Sequence, residues 1–120
     1  MSKNLKIIPL GGLGEIGKNM TVLEYGRNQI IVDCGVMFPE ADLYGIDLVL
    51  PDFQYVIENK DTLRGIVLTH GHMDHIGGLP YLLKQVNVPV YGTDLTLGMV
   101  KSKLEEVGLR EQVTLEKIDD

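Results

Sequence analysis

The sequence predicts an α/β fold, and three observations predict it. Two short apolar runs, Ile30-Ile31-Val32 and Ile66-Val67-Leu68, have the length and β-branched content of buried strands. A turn signal, Gly26-Arg27-Asn28, separates two strand-like stretches and points to a hairpin. Farther along, segments with helical spacing alternate with short strand patterns. A chain of 120 residues has room for one domain, since domains commonly hold ~100–150 residues.

The elements follow in order. Lys6–Leu10 reads as a first strand and Gly11–Asn19 as a glycine-rich loop. Met20–Tyr25 and Gln29–Asp33 read as the hairpin strands, the second buried on both faces because its apolar run is unbroken. Residues 34–52 are rich in Gly, Pro and Asp and read as a long irregular loop. Phe53–Ile57 reads as a turn or two of helix, and Gly65–Thr69 as another buried strand. Leu79–Val86 has helical spacing, with Pro80 tolerated in the first turn. Val88–Gly92 reads as a short strand. Thr93 or Asp94 caps a helix that runs to Val107 and ends at Gly108. Thr114–Ile118 reads as a last strand.

Composition narrows the class. The chain is 44% hydrophobic and 23% charged, with 14 glycines and 5 prolines, which suits a folded protein and excludes a disordered or collagen-like one. The single cysteine, Cys34, excludes a disulfide framework and a cysteine-rich zinc module. It follows a strand and adjoins apolar residues, so it reads as a small buried residue and not as a nucleophile. No apolar run approaches the ~20 residues of a membrane span. The start, Met1-Ser2-Lys3-Asn4, lacks the apolar core of a signal peptide, so a cytoplasmic protein without a membrane partner is expected. The net charge of −6 argues against a basic nucleic-acid surface on these residues.

All 3 histidines fall in one stretch, His70-x-His72-x-Asp74-His75, directly after a strand. Three unrelated histidines are the plain alternative, but the interleaved carboxylate and glycines argue for a metal site. Neutral imidazoles and a carboxylate are the ligand set of zinc and related divalent ions. A loop after a strand aims ligands two apart to one side, so His70 and His72 can share one metal. Asp74 and His75 are then left to face a second. Gly71 lets the backbone fold tightly between ligands, and Gly77-Gly78 lets the next helix begin close under the site. Two metals ~3.5–4 Å apart clamp a bridging water and lower its pKa towards neutrality.

This stretch resembles the signature of the metallo-β-lactamase superfamily. The resemblance implies the N-terminal half of an αβ/βα sandwich over residues 1–120. It also implies that His70 and His72 bind one zinc ion (Zn2+) while Asp74 and His75 bind the second, with Mn2+ or Mg2+ as alternatives. Asp74 would in addition hold or receive the proton of the water. Asp33, at the end of a strand, matches the superfamily's first motif, which implies that it holds the ligand loop by hydrogen bonds. A strand-end turn carboxylate is the other reading of that residue.

Further segments resemble the ribonuclease J family, of the β-CASP group: Leu10–Asn19, Phe38-Pro39-Glu40, Gly45-Ile46-Asp47, Pro51-Asp52, Thr69–Gly78 and Val88–Gly92. This resemblance implies RNA as substrate and hydrolysis of its phosphodiesters, both endonucleolytically and 5′ to 3′ as an exonuclease, in RNA processing and decay, rRNA included. It implies a homo-oligomer, dimer or tetramer, for the full-length protein. Family members run to several hundred residues. The remaining ligands, the basic RNA channel, the β-CASP domain and the C-terminal domain are therefore expected beyond Asp120, and the 120 residues alone are expected to be inactive. Gly45 and Asp47 match positions where some members hold a calcium-like ion (Ca2+); an ordinary Gly-x-Asp turn is the slightly favoured reading, since the remaining ligand would come from outside these residues.

Two other readings stay open from the residues. One is a different two-metal hydrolase, acting on a thioester or a lactam; the other is a non-catalytic scaffold piece. Gly12-x-Gly14-x-x-Gly17 also has the spacing of a dinucleotide fingerprint. Only 11 residues separate Gly17 from Gln29, and they carry a strand and a turn where that fingerprint needs a helix.

Overall fold

The structure is a computed structural model and describes residues 4–11, 19–35, 53–69 and 76–118. Its centre is a six-stranded sheet in the order β1-β2-β3-β4-β5-β6, with β1 Leu5–Gly11, β2 Met20–Tyr25, β3 Asn28–Val32, β4 Leu63–Val67, β5 Val90–Gly92 and β6 Leu115–Lys117. The first three strands are antiparallel neighbours. From β3 onward all pairs are parallel.

The hairpin forms where the sequence signals it. Tyr25 pairs with Asn28 across Gly26-Arg27, and Gly26 takes φ 61°. A glycine at the first central position of a two-residue loop is the requirement of a II′ turn. Because Met20–Tyr25 is a strand hydrogen-bonded on both sides, no helix follows the glycine-rich loop, and the dinucleotide spacing has no structural counterpart.

Each parallel step needs a crossover. Helix α1 (Gln54–Glu58) joins β3 to β4, α2 (Leu79–Leu83) joins β4 to β5, and α3 (Asp94–Glu106) joins β5 to β6. Strands added in one direction by right-handed crossovers place all their helices on the same face of the sheet. Burial agrees. Val56 of α1, Leu79, Leu82 and Leu83 of α2, and Leu97, Val100 and Leu104 of α3 are buried with Val22, Ile31, Ile66 and Val90 of the sheet.

The opposite face is different. Cross-strand pairing puts Leu5, Ile7, Leu23, Tyr25, Ile30, Val32, Val67 and Tyr91 on it. Leu5, Ile7 and Tyr25 are 61%, 65% and 49% exposed, and Ile30, Val32 and Val67 are half-buried. This corrects the expectation of strands buried on both faces. The apolar run of β3 is right for such a strand, but the described helices cover only one side of it.

Smaller departures have local causes. Helix α2 ends at Leu83, short of the expected Val86, and the chain turns so that Gln85 and Val86 both donate to the Leu82 carbonyl. Val88 precedes Pro89, and a residue before proline is pushed towards extended backbone. Helix α3 is capped by Thr93, whose Oγ1 accepts from the Thr96 amide at 3.5 Å. It closes with Gly108 at φ 75°, the Leu109 amide donating to Leu104 O at 2.9 Å and the Gly108 amide to Glu105 O at 3.2 Å, which is the Schellman arrangement.

At the hairpin end of the sheet, α1 is tied down through Glu24. Its carboxylate accepts from the Gln29 amide and from the Tyr55 hydroxyl at 2.9 Å, with Lys6 Nζ at 3.6 Å. The Gln29 and Tyr55 bonds, in that order, hold the Glu24 carboxyl below its usual pKa. Burial, followed by the bond to Glu24, raises that of Tyr55. No described helix is long and apolar enough to cross a membrane.

Candidate metal centre

Parallel strands put functional residues beyond their carboxyl ends. At that end of β3 and β4 the structure gathers three consecutive residues, Asp33-Cys34-Gly35, into a junction. Asp33 steps out of β3 with φ 63°, a left-handed conformation that aspartate tolerates better than most side chains. Its amide donates to Val67 O of the adjacent strand at 2.9 Å. Its carboxylate, 5% exposed, accepts two bonds from one residue: the Thr69 amide to Oδ1 and the Thr69 hydroxyl to Oδ2, each 2.8 Å. Thr69 is the residue before His70.

The next two residues hold other segments. Cys34 O accepts from the Gly78 amide at 2.8 Å, just before α2, and the Gly35 amide donates to Asn19 O at 3.0 Å, at the end of the glycine-rich loop. The two flanks of the histidine stretch, Thr69 and Gly78, therefore rest on adjacent residues, and the glycine-rich loop returns to the sheet beside them. Cys34 is fully buried. Burial first, and the Asp33 charge second, push its thiol pKa well up, so it stays a protonated packing residue, as the sequence reading expects.

The proposed ligands His70, His72, Asp74 and His75, and the Gly45 and Asp47 pair, lie outside the described residues. Among the described residues no cluster of His, Cys, Asp or Glu could hold a metal ion. The donor set itself fits a divalent ion: three imidazoles and a carboxylate within six residues, the chemistry zinc selects. Sequence reasoning named Asp33 but assigned no contact to Thr69. The signal available was a hydroxyl residue immediately before the first histidine, one strand away from a strand-end carboxylate.

Comparison with known proteins agrees with this architecture. The chain is 51% identical over 113 residues to "Ribonuclease J 1" of Streptococcus pyogenes, an alignment covering 94% of this chain and 20% of that protein. It is 49% identical over 115 residues to "Ribonuclease J" of Helicobacter pylori, covering 96% of this chain and 17% of that protein. The chain thus spans about a fifth of the length of the curated relatives it matches. Among solved structures, a long form RNase Z from yeast superposes with TM-score 0.62 at 17% identity, covering 96% of this chain and 18% of that one. Yeast PDE1 does so with TM-score 0.58 at 14% identity, covering 98% and 51%. At these identities the two structures speak for the fold alone. The Metallo-beta-lactamase superfamily profile matches residues 13–117, nearly the whole sheet and its helices, and the chain belongs to that superfamily.

Proposed function

We propose that the protein is a metal-dependent ribonuclease that hydrolyses RNA phosphodiesters, endonucleolytically and 5′ to 3′, in RNA processing and decay in the cytoplasm. The observation that carries this reading is the junction at Asp33-Cys34-Gly35, which grips both flanks of a stretch holding three imidazoles and a carboxylate. About half-identity to ribonuclease J proteins across nearly the whole chain supports the choice of RNA. Full-length protein working as a dimer or tetramer belongs to the same reading.

His70 and His72 would hold one divalent ion, and Asp74 and His75 the second. Bound there, a pair of zinc ions supplies a water that is deprotonated near neutral pH and a counter-charge for the phosphoryl oxygens. The chain's own part is positional and proton-handling. Asp33 keeps Thr69, and with it the start of the ligand stretch, at the end of β4. An Asp74 carboxylate oxygen would hold or receive the proton of that water.

His72→Ala tests the reading. In the whole natural protein we expect loss of RNA cleavage by several orders of magnitude together with loss of bound zinc. In the 120-residue chain we expect zinc affinity to weaken and RNA cleavage to be absent from the start. Unchanged zinc binding in His72→Ala would remove the ligand assignment.

A further inference from the structure

We propose that Gly78 is a positioning residue for the metal site: it closes the far end of the ligand loop against Cys34 and Gly35, and any side chain at 78 opens that end and weakens metal binding. The inference rests on the metal reading of His70–His75 and gives Gly78, there only a close start for the next helix, a part in holding the ligand stretch.

Conformation does not require glycine here. Gly78 has φ −86° and ψ −9°, ordinary for any residue at a helix start. Space does require it. A Cβ at 78 would lie 2.7 Å from Gly35 O, 3.2 Å from Cys34 O and 3.3 Å from Cys34 Sγ. The two nearest atoms are backbone, so neither can swing aside as a flexible side chain would. The same glycine donates its amide to Cys34 O at 2.8 Å and passes its own carbonyl to the Leu82 amide, starting α2. Its neighbours Ile76 and Leu79 are 2% and 1% exposed, so α2 is packed in place and cannot back away. The strain of an added methyl must therefore be relieved at the junction or in the loop between Thr69 and Gly78.

Both flanks of that loop meet the junction at consecutive residues, Thr69 at Asp33 and Gly78 at Cys34. Separating the second contact removes one of the two anchors beside the ligand stretch, and ligands that must converge on an ion would lose that support. Groups that orient metal ligands typically account for ~10–100-fold in metal affinity. A glycine on β4 serves as the control. A Cβ at Gly65 would meet Tyr91 Cε2, a side-chain atom, at 2.8 Å and Pro89 O at 3.3 Å, so the variant crowds β4 without a contact to the junction.

The experiment compares the whole natural protein with its Gly78→Ala and Gly65→Ala variants, stripped of metal and titrated with zinc alone. The expected result is Gly65→Ala binding zinc like the parent while Gly78→Ala binds ~10-fold or more weakly, with far-ultraviolet circular dichroism unchanged. A folded Gly78→Ala that binds like Gly65→Ala would overturn the inference. A parent that binds no zinc would overturn the metal reading, and this inference with it. Should Gly78→Ala fail to fold, amide exchange in the parent decides. Coupling between ion and contact is reciprocal, so zinc must slow exchange at the Gly78 amide ~10-fold while leaving unchanged the Gly108 amide at the end of α3, which opens by local fraying. No slowing at Gly78 overturns the proposal.

Discussion

Asparagine at position 33 separates the charge of Asp33 from its shape. Asparagine has the same outline and tolerates the left-handed backbone seen there at φ 63°. Its side-chain oxygen still accepts from the Thr69 amide, and its amide nitrogen meets the Thr69 hydroxyl, which can turn to accept. What disappears is the charge assistance of two bonds, each 2.8 Å. A bond to a charged partner contributes about 1.5–3 kcal/mol and a neutral one about 0.5–1.5, so the difference over the pair is about 2 kcal/mol. Alanine instead removes both bonds, about 3–6 kcal/mol, and adds about 1 kcal/mol for a less tolerant residue at positive φ. Domains are stable by about 5–15 kcal/mol, so Asp33→Ala should remove a large share of that margin while Asp33→Asn removes a small one. Urea unfolding monitored by circular dichroism measures the stability term, and isothermal titration with zinc measures the site. Asp33→Asn should lose about 2 kcal/mol of stability and, if the carboxylate holds the ligand stretch, about 10-fold or more in zinc affinity. A folded Asp33→Asn that binds zinc like the parent would refute the argument. So would a stability loss as large as that of alanine, because the neutral bonds asparagine keeps to Thr69 would then contribute nothing.

Three further outcomes are expected. Glu24→Gln should be less stable than the parent at neutral pH, with the gap closing on acidification through the carboxylate range below pH ~4. A carboxyl whose folded pKa is depressed stabilises the fold above its unfolded pKa and loses that contribution as pH falls through the folded one; a gap that widens in acid contradicts the bonding seen with Gln29 and Tyr55. Gly98→Ala on α3, where an added Cβ meets nothing within 4 Å, should stabilise the chain by about 0.5–1 kcal/mol in the same unfolding assay, and a loss would mean that this helix face is occupied. The 120-residue chain alone should self-associate in light scattering through the open sheet face, and Ile7→Lys, at a position 65% exposed on that face, should reduce it; a well-dispersed parent would contradict the reading.

The sequence by itself determined whatever is decided within a few residues. Gly26 at the II′ position set the hairpin, because few residues adopt its φ cheaply. Thr93 and Gly108 bounded α3 because helix ends leave backbone groups that only certain side chains or a left-handed residue can satisfy. The donor set of the metal stretch was legible because ligand chemistry is a property of residue type, and the sequence places three imidazoles and a carboxylate within six residues. Tertiary structure decided what depends on residues far apart. That the helices share one face, leaving Ile30, Val32 and Val67 half-buried, follows from the order in which strands add and from the handedness of their crossovers. No local pattern carries that information: an unbroken apolar run reads alike whether one or both sides are covered. The same holds at the junction. Asp33 and Thr69 are 36 residues apart, and Gly78 lies farther still along the chain from Cys34. Their contacts exist only because β3 and β4 pair side by side and α2 packs back under them, so the grip on the ligand stretch is a consequence of strand register and helix packing.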